Sequence, residues 1–161
     1  MIKKTLRKNK ILFFTSLFFL LFFSCENKEK HSEILYKNHM LKQNVLLKGD
    51  IKSYNKLYNY YEYENNLDEL LTSSIIMANK YNDSNAQFQV FTIMMNAFYD
   101  SENDRYIWDK ESLDIVFSYL KKAVLAGNAN AVTNLKFHTS NYNDELTVTI
   151  KKDAKLSKYV E

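Results

Sequence analysis

Apolar residues recur along most of this chain at spacings of three and four, the period of an α-helix, and they are densest between Leu67 and Tyr99. The first half of that stretch, LDELLTSSIIMANKY, places Leu67, Leu70, Leu71, Ile75 and Ala78 on one face, with Ile76 and Met77 interrupting the polar one. The second half, SNAQFQVFTIMMNAFY, carries two stripes: Ala86, Val90, Met94 and Ala97 on one side, Phe88, Phe91, Met95 and Phe98 on the other. A surface helix has one apolar stripe, whereas a helix with two is covered on both sides. The pattern predicts a helical hairpin forming the middle layer of a stack.

The flanking segments extend this reading. EILYKNHMLKQNVLLKG holds Ile34, Leu35, Met40, Leu41, Val45 and Leu46 at helical spacing and stops at Gly49. Asp50 stands where it can cap IKSYNKLYNYYEY, in which Tyr54, Leu57, Tyr58 and Tyr61 share a face. DSENDRYIWDKE, from Asp100 to Glu111, reads as a long polar and aromatic loop. Helix resumes in SLDIVFSYLKKAVLAG, apolar at Leu113, Val116, Phe117, Leu120, Val124 and Leu125, and stops at Gly127; a partner begins in NANAVTNLKFH. Beyond Thr139, LTVTI alternates as a strand does and DAKLSKYVE suits a closing helix, so residues 140–161 are expected to cap the fold or remain flexible. With no proline and strand-like alternation only at that end, the expected fold class is all-α.

Aligning the glycine stops exposes an internal repeat. GDIKSYNKL (Gly49 to Leu57), NDSNAQFQV (Asn82 to Val90) and GNANAVTNL (Gly127 to Leu135) share Gly or Asn, then Asp or Asn, then a small residue, then Leu or Val one turn later. Each feature has a physical role. Gly or Asn tolerates the positive φ that ends one helix, and Asp or Asn caps the next. Ser53, Ala86 and Ala131 permit close helix approach, Leu57, Val90 and Leu135 fill the contact, and Val45, Ala78 and Ala123 precede each stop by four residues. The copies lie 33 and 45 residues apart, the second interval lengthened by the loop at Asp100 to Glu111. Three helix-turn-helix hairpins over residues 33–139 would stack, because no single pair buries its own face.

YLKKAVLAGNANAVTNL (Tyr119 to Leu135) resembles the signature of Sel-one-like repeats, a branch of the tetratricopeptide-like superfamily. ANKYNDSNAQFQVF is similar with Asn82 in the glycine position, and LLKGDIKSYNKLYNYY keeps Gly-Asp with Ser53 for alanine. The resemblance implies a short right-handed α/α superhelix that serves as a protein-binding scaffold, without catalysis.

The N-terminus has a different character. Lys3, Lys4, Arg7, Lys8 and Lys10 precede ILFFTSLFFLLFF, an uncharged run from Ile11 to Phe23, which is the layout of a secretory signal peptide over residues 1–24. As a helix that run would cover roughly 20 Å, short of the ~30 Å hydrocarbon core of a bilayer. Cys25 is the chain's only cysteine and has no internal disulfide partner. FFSC resembles a bacterial lipobox, with Phe22 as the bulky residue, Phe23 where a smaller one is usual, Ser24 before the cut and Cys25 as lipid acceptor. That resemblance implies an exported lipoprotein anchored in a bacterial membrane, on the periplasmic side or cell surface, with CENKEKHS (25–32) as a solvated tether. Removing the five basic residues of the signal from 22 leaves 17 Lys and Arg against 19 Asp and Glu. The mature domain is mildly acidic, with no basic cluster to release counterions from nucleic acid, and a nucleic-acid partner is set aside.

Candidate chemistry is sparse. Asp100, Glu102, Asp104 and Glu111 have EF-hand spacing, but Arg105 occupies the turn position that needs glycine, so a solvated insertion with Asp109 as a helix cap is the preferred reading. His31, His39 and His138 lack metal-ligand spacing, and two glycines cannot build a phosphate loop. Glu62, Glu64, Asp68 and Glu69 flank a helix start, where carboxylates favour the dipole. Neither catalysis nor a cofactor is expected. The aromatic excess is more telling: Tyr60, Tyr63, Tyr106 and Trp108 lie outside the core stripes and are the kind of side chain on which binding energy concentrates. The expectation is a membrane-anchored lipoprotein that binds another protein, with an immunity protein occluding a delivered toxin as the second reading.

Overall fold

A computed structural model describes residues 34–160 of the chain. The expected signal peptide, the expected lipid acceptor Cys25 and the expected tether lie outside the described residues. Residues 34–48 are helical (α1); those up to Met40 belong to a separate N-terminal unit, and the body considered below runs from Leu41. It continues with α2 (Ile51–Tyr63), a 3-10 turn (Leu67–Leu70), α3 (Leu71–Lys80) and α4 (Ser84–Ala97). A two-residue ladder of β1 (Tyr99–Asp100) and β2 (Arg105–Tyr106) follows, then α5 (Lys110–Leu125), α6 (Ala129–Asn141), α7 (Glu145–Lys152) and a last 3-10 turn (Ser157–Tyr159). The fold is all-α.

The three hairpin turns are built alike. Gly49, Asn82 and Gly127 adopt φ of +63°, +54° and +79°, the left-handed geometry that ends a helix. The next amide then folds back onto the helix just ended: Asp50 N–H to Asn44 O at 3.4 Å, Asp83 N–H to Met77 O at 3.1 Å, Asn128 N–H to Ala123 O at 3.0 Å. The same residue caps the new helix, Asp50 accepting from Lys52 N–H (3.1 Å), Asp83 from Ala86 N–H (2.8 Å) and Asn128 from Ala131 N–H (2.9 Å). Neighbouring turns are tied to each other. The Tyr81 hydroxyl reaches Leu46 O at 3.3 Å, and Asn128 Nδ2 donates to Asn85 Oδ1 at 2.7 Å.

Packing follows the repeat. None of Val45, Ser53, Leu57, Ala78, Ala86, Val90, Ala123, Ala131 and Leu135 is more than 5% exposed. Helix α4 packs on both α3 and α5, the middle layer that its two stripes require.

Some positions differ from the pattern. On α3, Ser73 and Ser74 are buried while Ile75 is exposed. Ser74 Oγ donates to Leu70 O (3.1 Å) and shares a hydrogen bond with the Tyr54 hydroxyl (2.8 Å), so this buried hydroxyl is satisfied inside the protein. Ala97 and Leu125, each at the end of its helix, are exposed. The loop between α4 and α5 is a short β-hairpin, and α5 starts at Lys110 with Asp109 as its cap (Ser112 N–H, 2.7 Å). LTVTI is helix, not strand: Asp144 caps α7 through Thr147 N–H (2.8 Å), and Leu146 and Ile150, one turn apart, are fully buried with Leu156 beyond them. Burial on one helical face overrides the strand preference of the β-branched Thr and Val.

Candidate functional site

The hairpin between α4 and α5 gathers aromatic side chains. Tyr99 pairs with Tyr106 and Asp100 with Arg105, and the ladder is carried on by Ile107 N–H to Phe98 O at 2.8 Å. Its turn is held by Asp100, which accepts from Glu102 N–H (3.1 Å) and Asn103 Nδ2 (2.7 Å), and by the Tyr99 hydroxyl donating to Asp104 Oδ1 (2.6 Å). Of the carboxylates with EF-hand spacing, Asp100 is thus committed to the turn and Asp104 to Tyr99, Glu111 lies in the first turn of α5, and Arg105 stands in a strand. Among the described residues no group of three or more His, Cys, Asp or Glu could hold a metal ion.

Side chains two apart on an extended strand share a face. Tyr106 and Trp108 accordingly stack with ring centroids 4.9 Å apart and planes 3° from parallel, while Phe98 meets Trp108 edge-on at 6.4 Å. Tyr99 lies against Tyr106 across the ladder at 5.3 Å. The end of α6 and the residue after it complete the cluster: Tyr142 stacks on His138 at 4.7 Å, meets Tyr106 at 6.3 Å and Phe137 at 6.2 Å.

His138 anchors this assembly. Its ring is buried, and Nε2 lies 3.1 Å from both carboxylate oxygens of Asp144. A carboxylate only accepts, so Nε2 carries the proton. Burial pushes the Asp144 carboxyl up, but hydrogen bonds from His138 and Thr147 outweigh it and hold the group below its ordinary range. The Tyr106 phenol is raised, first by burial and then by its neighbours Tyr142, Asp144 and Asp104.

A groove of about 370 Å³ opens beside the stack, lined by Arg105, Tyr106, Ile107, Trp108, Asp144 and Glu145. Ile107 in its lining is 55% exposed, Tyr99 and Tyr142, whose rings lie against Tyr106, are 43% and 41% exposed, and Phe137, against Tyr142, is 57% exposed. The lining offers flat rings, aliphatic surface, the Arg105 guanidinium and two carboxylates.

The sequence-predicted residues divide into two pairs. Tyr106 and Trp108 meet in the groove wall, both half-buried. Tyr60 packs edge-on against Tyr61 at 5.2 Å, and Tyr63 projects into solvent at 87% exposure. Among the described residues no ring contact joins Tyr60 or Tyr63 to the groove. Sequence reasoning missed Phe137, Tyr142 and Asp144. Phe137 had a visible signal, since it falls off the buried face of α6 (Ala131, Leu135, His138); Tyr142 and Asp144 had none, because their role depends on a hairpin more than thirty residues upstream. No helix among the described residues is long and apolar enough to cross a membrane. Comparison of the chain with protein families, curated proteins and solved structures finds no match.

Proposed function

We propose that this chain is a lipoprotein, held at a membrane by lipid on Cys25, whose helical hairpins present a surface for another protein. The observation that carries the reading is the groove beside the Tyr106–Trp108 stack, with exposed Ile107 in its lining and exposed Tyr99, Tyr142 and Phe137 in the ring cluster that continues from Tyr106. Aromatic anchors in a partly desolvated depression are where interface energy concentrates, and a soluble surface otherwise avoids such a patch. The second reading, an immunity protein that occludes a delivered toxin, draws on the same feature. A contact built from an insertion between two repeats suits a dedicated inhibitor, and a toxin-like reading frame beside the gene would favour it.

Capture of a partner by the wild-type chain, compared with Ile107→Ala, Phe137→Ala and Trp108→Ala variants, tests the proposal. The exposed positions should lose capture with an unchanged melting temperature, and Trp108→Ala should weaken binding most, by about 2 kcal/mol or more. Capture that persists in all three moves the contact off this groove and overturns the reading.

A further inference from the structure

In the N-terminal unit the described residues, 34–40, form the first two turns of α1. Ile34, Leu35, Tyr36 and Met40 are 41%, 55%, 68% and 42% exposed, so four of these seven positions hold large apolar side chains open to water. At 100° per residue Leu35, Tyr36 and Met40 fall within an arc of about 140°, and Lys37 stands at its edge. One side of the helix is apolar and a cation borders it.

Place in the chain selects what covers that side. Ile34 follows Cys25 by nine residues, which reach at most about 30 Å when fully extended. A bilayer that holds lipid on Cys25 is never far from these turns. Charge points the same way, since residues 25–48 carry five Lys against three Glu, with no acid after Glu33, whereas residues 49–161 carry twelve Lys and Arg against sixteen Asp and Glu. An anionic lipid surface attracts the first segment and repels the second.

We infer that the first two turns of α1 lie in the interface of the membrane that holds Cys25, with Leu35, Tyr36 and Met40 toward the acyl chains and Lys37 among anionic headgroups. Leu35 and Met40 supply apolar surface, the Tyr36 phenol suits the boundary between hydrocarbon and water, and Lys37 can lay its stem along the one with its ammonium in the other. This rests on the lipoprotein reading above and adds a second, non-covalent contact. Three side chains bury too little to replace the lipid, so Cys25→Ser should still release the protein.

The lipidated protein is reconstituted in vesicles of phosphatidylethanolamine and phosphatidylglycerol, with or without bromine on the acyl chains, and Tyr36→Trp is read against the parent, whose only tryptophan is Trp108. The introduced indole should emit to the blue of one introduced by Tyr63→Trp, at a position 87% exposed, and brominated chains should quench the first and spare the second. Adding Leu35→Ser and Met40→Ser should abolish the quenching with the melting temperature unchanged, because both positions are exposed. Position 36 unquenched in the lipidated protein overturns the inference and leaves the lipoprotein reading standing. Equal quenching at 36 and 63, or quenching that survives the two serines, overturns it as well. A blue-shifted indole that bromine does not reach assigns these turns to a protein instead. Absence of lipid on Cys25 removes the lipoprotein reading, and this inference with it.

Discussion

The ring of Tyr81 lies over Gly49 so closely that a methyl group on the glycine would sit 2.6 Å from its Cγ and Cε1. Gly49 therefore meets two demands, a left-handed φ of +63° and the absence of a side chain beneath the next turn. Gly127, with φ of +79°, meets only the first, since nothing lies within 4 Å of the same position. Gly127→Ala should cost about 1–2 kcal/mol for the left-handed backbone. Gly49→Ala should cost about 1–3 kcal/mol beyond that, because the ring must move and give up its hydrogen bond to Leu46 O. Chemical denaturation of the two variants checks the order; equal losses would mean that Tyr81 yields freely.

Ala86 and Ala131 are both completely buried at the start of the second helix of their hairpins. Leucine at either position has nowhere to go without parting two helices, and each substitution should destabilise by about 1–3 kcal/mol. Melting temperatures equal to the parent's would show that the small residue of the repeat is not there to permit close approach.

Asp144 links stability to pH. Its folded carboxyl titrates below the ordinary value of 3.8: burial acts to raise it, and the hydrogen bonds from His138 and Thr147 prevail. Between the folded value and 3.8 the unfolded chain binds more protons, so stability rises with pH there. The contribution is complete above the unfolded value and is lost as pH falls through the folded one. Urea midpoints measured from about pH 6 down to about pH 2.5 should fall in the acid arm, less steeply in Asp144→Asn, which keeps an oxygen for the cap. An equally steep arm would assign the effect to the other depressed carboxyls, such as Asp50, Asp109 and Asp153.

Cys25→Ser tests the membrane address. One lipid-bearing cysteine is the anchor expected after cleavage, so the substitution should abolish lipid labelling and shift the protein to the soluble fraction. Unchanged membrane association would remove the lipoprotein reading while leaving the groove and its partner open to test.

What this sequence determines by itself is the set of features whose physics is local. A left-handed stop, a cap one residue later and a small residue three further on act within a single turn, so Gly49-Asp50-Ser53, Asn82-Asp83-Ala86 and Gly127-Asn128-Ala131 align by residue type alone. Helical period carries equally well along α4, where two stripes require two neighbours. It fails on LTVTI, too short a run for its period to separate helix from strand, and the burial of Leu146 and Ile150 decides the matter. On α3 it mistakes Ile75 for core, because the buried Ser74 finds its partner in Tyr54, twenty residues away. The groove belongs wholly to tertiary structure. Tyr106 and Trp108 are near neighbours in sequence, but Tyr142 reaches them only after α5 and α6 have folded back, and Asp144 faces them because it must cap α7 and hold His138 at once. Ring contacts and carboxylate hydrogen bonds act over a few ångströms in space whatever the separation along the chain, so no local pattern records them.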